Sequence, residues 1–301
     1  MRTARAFVPG HVTGIFRIFD EHENLLRRGS MGAGFSVKVG TVTSVSLTKS
    51  SSFQVKVEYN GREIDGPVTM AVINRLLDSD SRPYRVEVNH DSSLPIGVGF
   101  GASGAGALGT ALALSWLLGI DTSVQSAGVH AHVAEVVNHS GLGDVIAQCS
   151  GGVETRIKPG APGIGEILQI PYDETQCVVL AGRPGLETKE VLTNPTKRER
   201  INDVGDEIMK DFLRNPTFDK FVSSAKKFSN QTGLMTAGVD SALDRLHSAG
   251  FQNSSMVMLG DSVFSFCNES EVGSVVEILS DIWDANQVIA TSVSADGGRL
   301  V

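Results

Sequence analysis

Cysteine is scarce: Cys149, Cys177 and Cys267 are the only three in 301 residues, widely spaced and odd in number. That excludes a disulfide framework and predicts reduced thiols in a cytoplasm. Positive charge is short as well. Lys and Arg number 26 against 34 Asp and Glu, for a net charge of −8, which argues against a nucleic-acid surface. Long apolar runs are missing; the longest, residues 105–120, is interrupted by small residues and is too short and glycine-rich to span a membrane. No charged-then-apolar leader precedes Arg5, so no signal peptide is expected. Internal repeats and low-complexity tracts are lacking too. A chain of this length can bury a full core and divide in two.

Glycine is plentiful, with 33 residues, and it is densest in Pro95-Ile-Gly-Val-Gly-Phe-Gly-Ala-Ser-Gly-Ala105. An Ala/Leu-rich segment follows to Leu118 and reads as a buried helix. The loop thus ends on a helix N-terminus, where free N–H groups and the dipole favour an anion. Glycine at Gly97, Gly99, Gly101 and Gly104 lets main chain approach that anion. Ser103, next to Ala102 at the junction, offers a hydroxyl to a phosphate oxygen or to Mg²⁺. No lysine follows the glycines, so the Walker A pattern G-x-x-x-x-G-K-S/T fails. Gly99, Gly101 and Gly104 match G-x-G-x-x-G literally, but no strand runs directly into Gly99 and the nearest acid, Asp121, opens another helix. A G-x-S-x-G elbow around Ser103 fails at its last position, Ala105.

A second constellation follows. Helical sequence over residues 122–138 carries His130, His132 and Glu135, and is followed by His139 and then Gly141-Leu-Gly-Asp144. Glu135 and His139 are four apart, with His132 three residues before Glu135, a spacing that allows zinc on one helical face. Against zinc, there is no H-E-x-x-H pattern and no nearby cysteine pair. Asp144 opens a helix, where the dipole stabilises a carboxylate. It reads either as an N-cap or as a group that orients a hydroxyl.

The uninterrupted run P-x-x-x-G-F-G-A-S-G-A from Pro95 to Ala105 resembles the central motif of the GHMP kinases, named for galactokinase, homoserine kinase, mevalonate kinase and phosphomevalonate kinase. Residues 4–16 read as a short strand and then a turn, with Pro9-Gly10 as the punctuation, and the segment Pro9-Gly10-His11-Val-Thr13-Gly14 is similar to the family's first motif, with His11 where mevalonate kinases carry lysine. Gly260, in a strand–turn–strand stretch over residues 254–265, stands for the third motif, although a plain hairpin explains it almost as well. Further segments, among them Gly141–Gln148 and residues 151–156, resemble the archaeal branch of the family that acts on pantoate.

The resemblance implies an α+β fold in two domains. Residues 1–160 would form an N-terminal β–α domain with a left-handed βαβ-type phosphate loop, and residues 161–301 a ferredoxin-like domain. It implies ATP and Mg²⁺ as cofactors, with Pro95, Gly97, Gly99, Gly101, Ala102, Ser103, Gly104 and Gly260 at the nucleotide. Ser103 and Glu135 would hold the metal, and Asp144 with His11 would act on the acceptor hydroxyl. Pantoate is the expected acceptor, with mevalonate- or homoserine-type hydroxy acids as alternatives and a non-catalytic nucleotide-binding regulator as the rival class. A carboxylate acceptor wants a cation, and Arg156, Arg183 and Lys189 are the candidates, with Thr13 and Thr188 beside them. A homodimer is compatible with this reading, and neither nucleic acid nor membrane is expected as a partner.

Alternating strands are predicted near residues 35–47 and 53–59, then a helix from Gly66-Pro67 to about Leu77 and a strand at 84–89. The Pro/Gly cluster at 158–165 is the best internal break. Beyond it, a strand at 176–181, helices at 196–213, 217–230 and 236–247, the pair around Gly260, a helix at 271–285 and a strand at 287–292 give the order of a ferredoxin-like sandwich with inserted helices.

Overall fold

A computed structural model describes residues 1–78, 82–185 and 188–301 of the chain. Its first sheet is organised by one long hairpin, Arg2–Phe19 against Gly29–Lys49. The far edge of Gly29–Lys49 is shared between two strands. Tyr84–Ser92 pairs with its second half, and Val153–Lys158 pairs with Gly32–Phe35. Gln54–Tyr59 extends the sheet in parallel beside Tyr84–Ser92, and Arg299–Leu300 returns to pair with Ala6 and Phe7. Ala102–Leu118 lies on this sheet between Pro67–Leu77 and Val124–Asn138. Its Gly/Ala/Leu composition suits a helix buried on nearly every face, and only its ends reach solvent.

The second sheet holds Cys177–Arg183, Ser254–Met256, Asp261–Cys267 and Val288–Ser292. All its pairs are antiparallel, in the spatial order fourth, first, third, second. Helices Pro195–Phe212, Phe218–Thr232 and Ala237–Ser248 join its first two strands, and Val272–Ser280 joins its last two. This is the ferredoxin-like βαββαβ order with added helices, as expected. Among the described residues no helix is long and apolar enough to cross a membrane.

Two expectations about the chain's punctuation are corrected. Pro9-Gly10 is not a turn: Arg2–Phe19 runs on through it with a bulge at Pro9/Gly10 and a second at Thr13/Ile15. Proline fits a bulge because the ladder there lacks one hydrogen bond. The Pro/Gly cluster at 158–165 is not a domain boundary either. It is the loop of a hairpin, since Glu166–Ile170 pairs back onto Val153–Lys158 in the first sheet. Its Ala161 N–H donates to Leu26 O at 2.9 Å, pinning the loop to the same half.

The halves share one aromatic core. Phe35 of the first sheet lies 5.2 Å and 4.8 Å, ring to ring, from Phe264 and Phe266 of the second, and Phe16 lies 5.6 Å from Phe228. The Met258 N–H also donates to Thr13 O at 3.0 Å. The site lies at this junction.

Candidate active site

The glycine loop takes the backbone conformations its composition predicts. Gly97, Gly99 and Gly101 have φ of 80°, 81° and 72°, and the helix begins at Ala102 immediately after them. A Cβ on Gly99 would come within 2.8 Å of Met258 O, so main chain from the second half fills the space a side chain would need. Other groups hold the loop from behind. Gln148 Nε2 donates to Pro9 O at 3.0 Å and to Gly101 O at 2.9 Å, and Ser262 Oγ donates to Val98 O at 2.7 Å. Gly260 packs flush on the Val98 carbonyl. It supports the loop from behind and does not face the cavity, unlike its expected place at the nucleotide. Gly104 likewise faces Gln148. The open side of the loop is a cavity of about 500 Å³, walled by Pro95, Gly97, Gly99 and Gly101–Ser103, with Ser140 and Asp144 at one end.

Ser103 Oγ donates to Glu135 Oε1 at 2.5 Å, and Ser140 Oγ donates to the same oxygen at 2.8 Å. Glu135 is buried, and its Oε2 has no partner. Burial, together with the charge of Asp144, raises its pKa to about 7 against the pull of the two serine hydroxyls. Gly141 lies against both acids: a Cβ there would collide with Glu135 Oε2 and sit 3.5 Å from Asp144 Oδ2. An orphaned buried carboxylate oxygen beside a hydroxyl at the phosphate loop is a donor set that suits Mg²⁺ shared with phosphate oxygens. The zinc alternative is not supported. His132 is buried against the backbone of Leu25 and Arg28, burial lowers its pKa to about 4, and His139 caps the helix at φ 54°. Among the described residues no three of His, Cys, Asp and Glu gather into a metal-binding group.

Asp144 opens the helix Asp144–Ser150. Its Oδ1 accepts from His11 Nδ1 at 2.8 Å, and the other ring nitrogen of His11 donates to Glu154 Oε1 at 3.1 Å. Burial alone would strip the His11 proton, but the Glu154 charge and the two carboxylate hydrogen bonds outweigh it and raise the pKa to about 9. The imidazolium is completely buried and both its nitrogens are occupied. His11 is therefore not free to meet an acceptor hydroxyl or a γ-phosphate as expected; it holds Asp144 from behind. Glu154 Oε1 also accepts from Arg156 Nη1 at 2.5 Å. Asp144, His11, Glu154 and Arg156 thus form one chain of alternating charge.

Arg156 is 1% exposed, its Nε has no partner, and its Nη2 lies 3.4 Å from Thr13 Oγ1. With Thr13, Ser30 and the apolar Phe16, Leu142 and Met258 it walls a second cavity of about 510 Å³. This cavity and the loop cavity share Gly99, Asp144, Thr188 and Leu259. Arg183 and Lys189 are not brought to either cavity. Arg183 is 60% exposed and paired with Asp261 at 2.7 Å, and Lys189 faces solvent. Sequence reasoning missed Glu154, Gln148, Ser140 and Ser30. Glu154 alone carried a readable signal, standing two residues before Arg156 in a short strand and so on the same face.

The family model for the GHMP kinases N terminal domain matches residues 68–152. A relative from Thermococcus kodakarensis, named "Pantoate kinase", is 36% identical over 284 residues, 92% of this chain and 92% of its own. A "Pantoate kinase" from Methanocaldococcus jannaschii is 29% identical over 91% of this chain and 97% of its own. A solved structure described as "Phosphotransferase related to CoA biosynthesis pathway" superimposes with a TM-score of 0.87 at 31% identity, covering 100% of this chain and 99% of its own.

Proposed function

The chain belongs to the GHMP kinase family, and from that membership we propose that it transfers the γ-phosphoryl group of ATP to a hydroxyl of pantoate, giving 4-phosphopantoate for coenzyme A biosynthesis. One observation carries this reading: Asp144 stands where a main-chain phosphate cradle opens into a cavity with a buried guanidinium. Three free cysteines and a chain without a membrane-crossing helix among its described residues support action in the cytoplasm.

The residues divide the work. The N–H groups of Gly101–Ser103 at the helix start hold triphosphate oxygens. Ser103 and Glu135 would hold Mg²⁺, which when bound neutralises charge on the phosphates. Arg156 takes the acceptor carboxylate, with Thr13 beside its Nη2. Phe16, Leu142 and Met258 suit the methyl-bearing carbon of pantoate. Among the described residues Asp144 Oδ2 has no hydrogen-bond partner while His11 fixes Oδ1, so Oδ2 orients the acceptor hydroxyl. As the bond from phosphorus to the acceptor oxygen forms and the bond to the β-phosphate oxygen breaks, the hydroxyl proton passes to Asp144. Closure by Thr188 and Leu259 keeps water from taking the phosphoryl group.

The test is competition. Pantoate, mevalonate and homoserine are supplied together with Mg·ATP, and the phosphorylated product is identified while ADP release is followed. Phosphopantoate should dominate. Preference for either rival acceptor overturns the substrate and keeps the kinase; no acceptor-dependent ADP with any of the three favours a nucleotide-binding regulator.

A further inference from the structure

His11 and Glu154 sit on strands that are not neighbours. Between Arg2–Phe19 and Val153–Lys158 runs Gly29–Lys49, which places Gly34 opposite both Thr13 and Glu154. A Cβ on Gly34 would come within 2.7 Å of His11 Nε2. Gly32, opposite Arg156, has the same relation to that side chain, where a Cβ would lie 2.8 Å from Nη2. Two glycines on one face of the middle strand therefore open a passage, and the acidic and basic side chains of the outer strand cross it to reach His11 and Thr13. The groups facing the His11 ring are Asp144 from the helix start, Glu154 from the outer strand, and Gly34 between them; Arg156 stands next, through Glu154.

We propose that Glu154 is a positioning residue: one oxygen holds both the His11 imidazolium and Arg156, which fixes the direction of Asp144 and ties it to the cation that grips the acceptor, a role that rests on the kinase reading above. Three features support it. Glu154 is fully buried and has no contact with either cavity, so it acts only through its partners. Its Oε2 is unpartnered, so no other protein group accounts for its burial. The four side chains sum to zero charge when both acids are ionised and both bases protonated, and His11, Glu154 and Arg156 are buried, so removing one charge unbalances the rest where solvent does not screen it.

The variants are E154Q and H11Q. E154Q should lower kcat/KM for pantoate by roughly 10–100-fold, the usual effect of removing a buried partner of a site residue, while Mg·ATP affinity measured without acceptor stays native. The alkaline limb of its kcat profile should move to lower pH by about one unit or more, because the imidazolium has lost one of its two carboxylates. The E154Q/H11Q double variant should lose no more than the worse single one, since both act through Asp144. Native turnover and an unmoved limb in folded E154Q, or additive losses in the double variant, overturn the proposal. Should E154Q not fold, E154D carries the same test: it keeps the charge and shortens the reach, and a native limb there overturns the proposal. An NMR titration of the His11 ring, assigned by its absence in H11Q, needs no turnover. A fall in its pKa in E154Q is expected, and an unshifted ring overturns the role of Glu154. Lack of pantoate-dependent ADP release by the unaltered protein defeats the kinase reading instead.

Discussion

The cavity over the glycine loop is walled by main chain, whereas the cavity beside it is walled by side chains, and Asp144 stands where they meet. The first can take any triphosphate, because N–H groups at a helix start recognise charge and geometry. The second selects, because a buried guanidinium, a threonine hydroxyl and apolar neighbours must all be matched at once. On the proposed reading, one region supplies the group to be transferred, and the other decides what receives it.

The sharpest test of this contrast falls on the shared carboxylate, Asp144. Asp144→Asn should reduce turnover by on the order of 10²–10⁴-fold, the range for a positioned acid or base, and leave Mg·ATP affinity nearly intact. Single-turnover ADP formation beside a nucleotide titration measures both, and a parallel fall in the two would place Asp144 in the phosphate cavity alone. Next comes the side-chain wall. Arg156→Met should raise the pantoate KM and lower stability by about 3–5 kcal/mol, because Glu154 is left as a buried charge with one partner fewer. Arg156→Lys should restore more of the stability than of the pantoate affinity, since lysine lacks the planar fork. Denaturant midpoints and acceptor saturation curves separate the two quantities.

The main-chain wall should respond in the other coordinate. Gly97→Ala places a side chain at φ 80° in the wall of the loop cavity alone, a strain of about 1–3 kcal/mol. It should raise the ATP KM and leave the pantoate KM alone; the reverse pattern would break the division of labour. A pH dependence tests the cation site. Glu135 has a folded pKa raised from 4.5 to about 7, so the stability linked to its neutral form is complete below about 4.5 and lost as pH rises through 7. Mg²⁺ competes with that proton, so Mg·ATP affinity should fall about tenfold per unit below pH 7 and level off above it. Binding titrations at pH 6 and pH 8 check this, and equal affinities would remove Glu135 from the site. The smallest effect belongs to Arg183→Ala. Its pair with Asp261 is mostly solvent-exposed on the arginine side and should be worth about 0.2–1 kcal/mol, with acceptor kinetics unchanged.

The same contrast decides what the sequence could reveal. The phosphate wall was legible because its chemistry is local: left-handed backbone needs glycine, and the glycines needed, Gly97, Gly99 and Gly101, alternate within five residues. Asp144 was legible for the same reason, as a carboxylate at a Gly-bracketed helix start. The acceptor wall was only partly readable. His11 and its partner Asp144 were found, but its second partner Glu154 was not, because that bond depends on the register of three strands and a gap at Gly34. Arg183 was chosen on charge, and Lys189 on charge and its place in a Thr-Lys-Glu sequence that resembles a family segment near the substrate; neither says which side chain faces inward. The Pro/Gly cluster at 158–165 was misread because a hairpin loop and a domain linker draw on the same residue types.

The aromatic rings joining the halves have one more consequence. Phe35 packs against Phe264 and Phe266 across the junction, and Phe16 packs against Phe228. The two sheets share these rings, so each sheet's core is completed by the other half. A fragment cut after residue 160 would expose Phe16 and Phe35 and lack the strand Glu166–Ile170 that covers its edge.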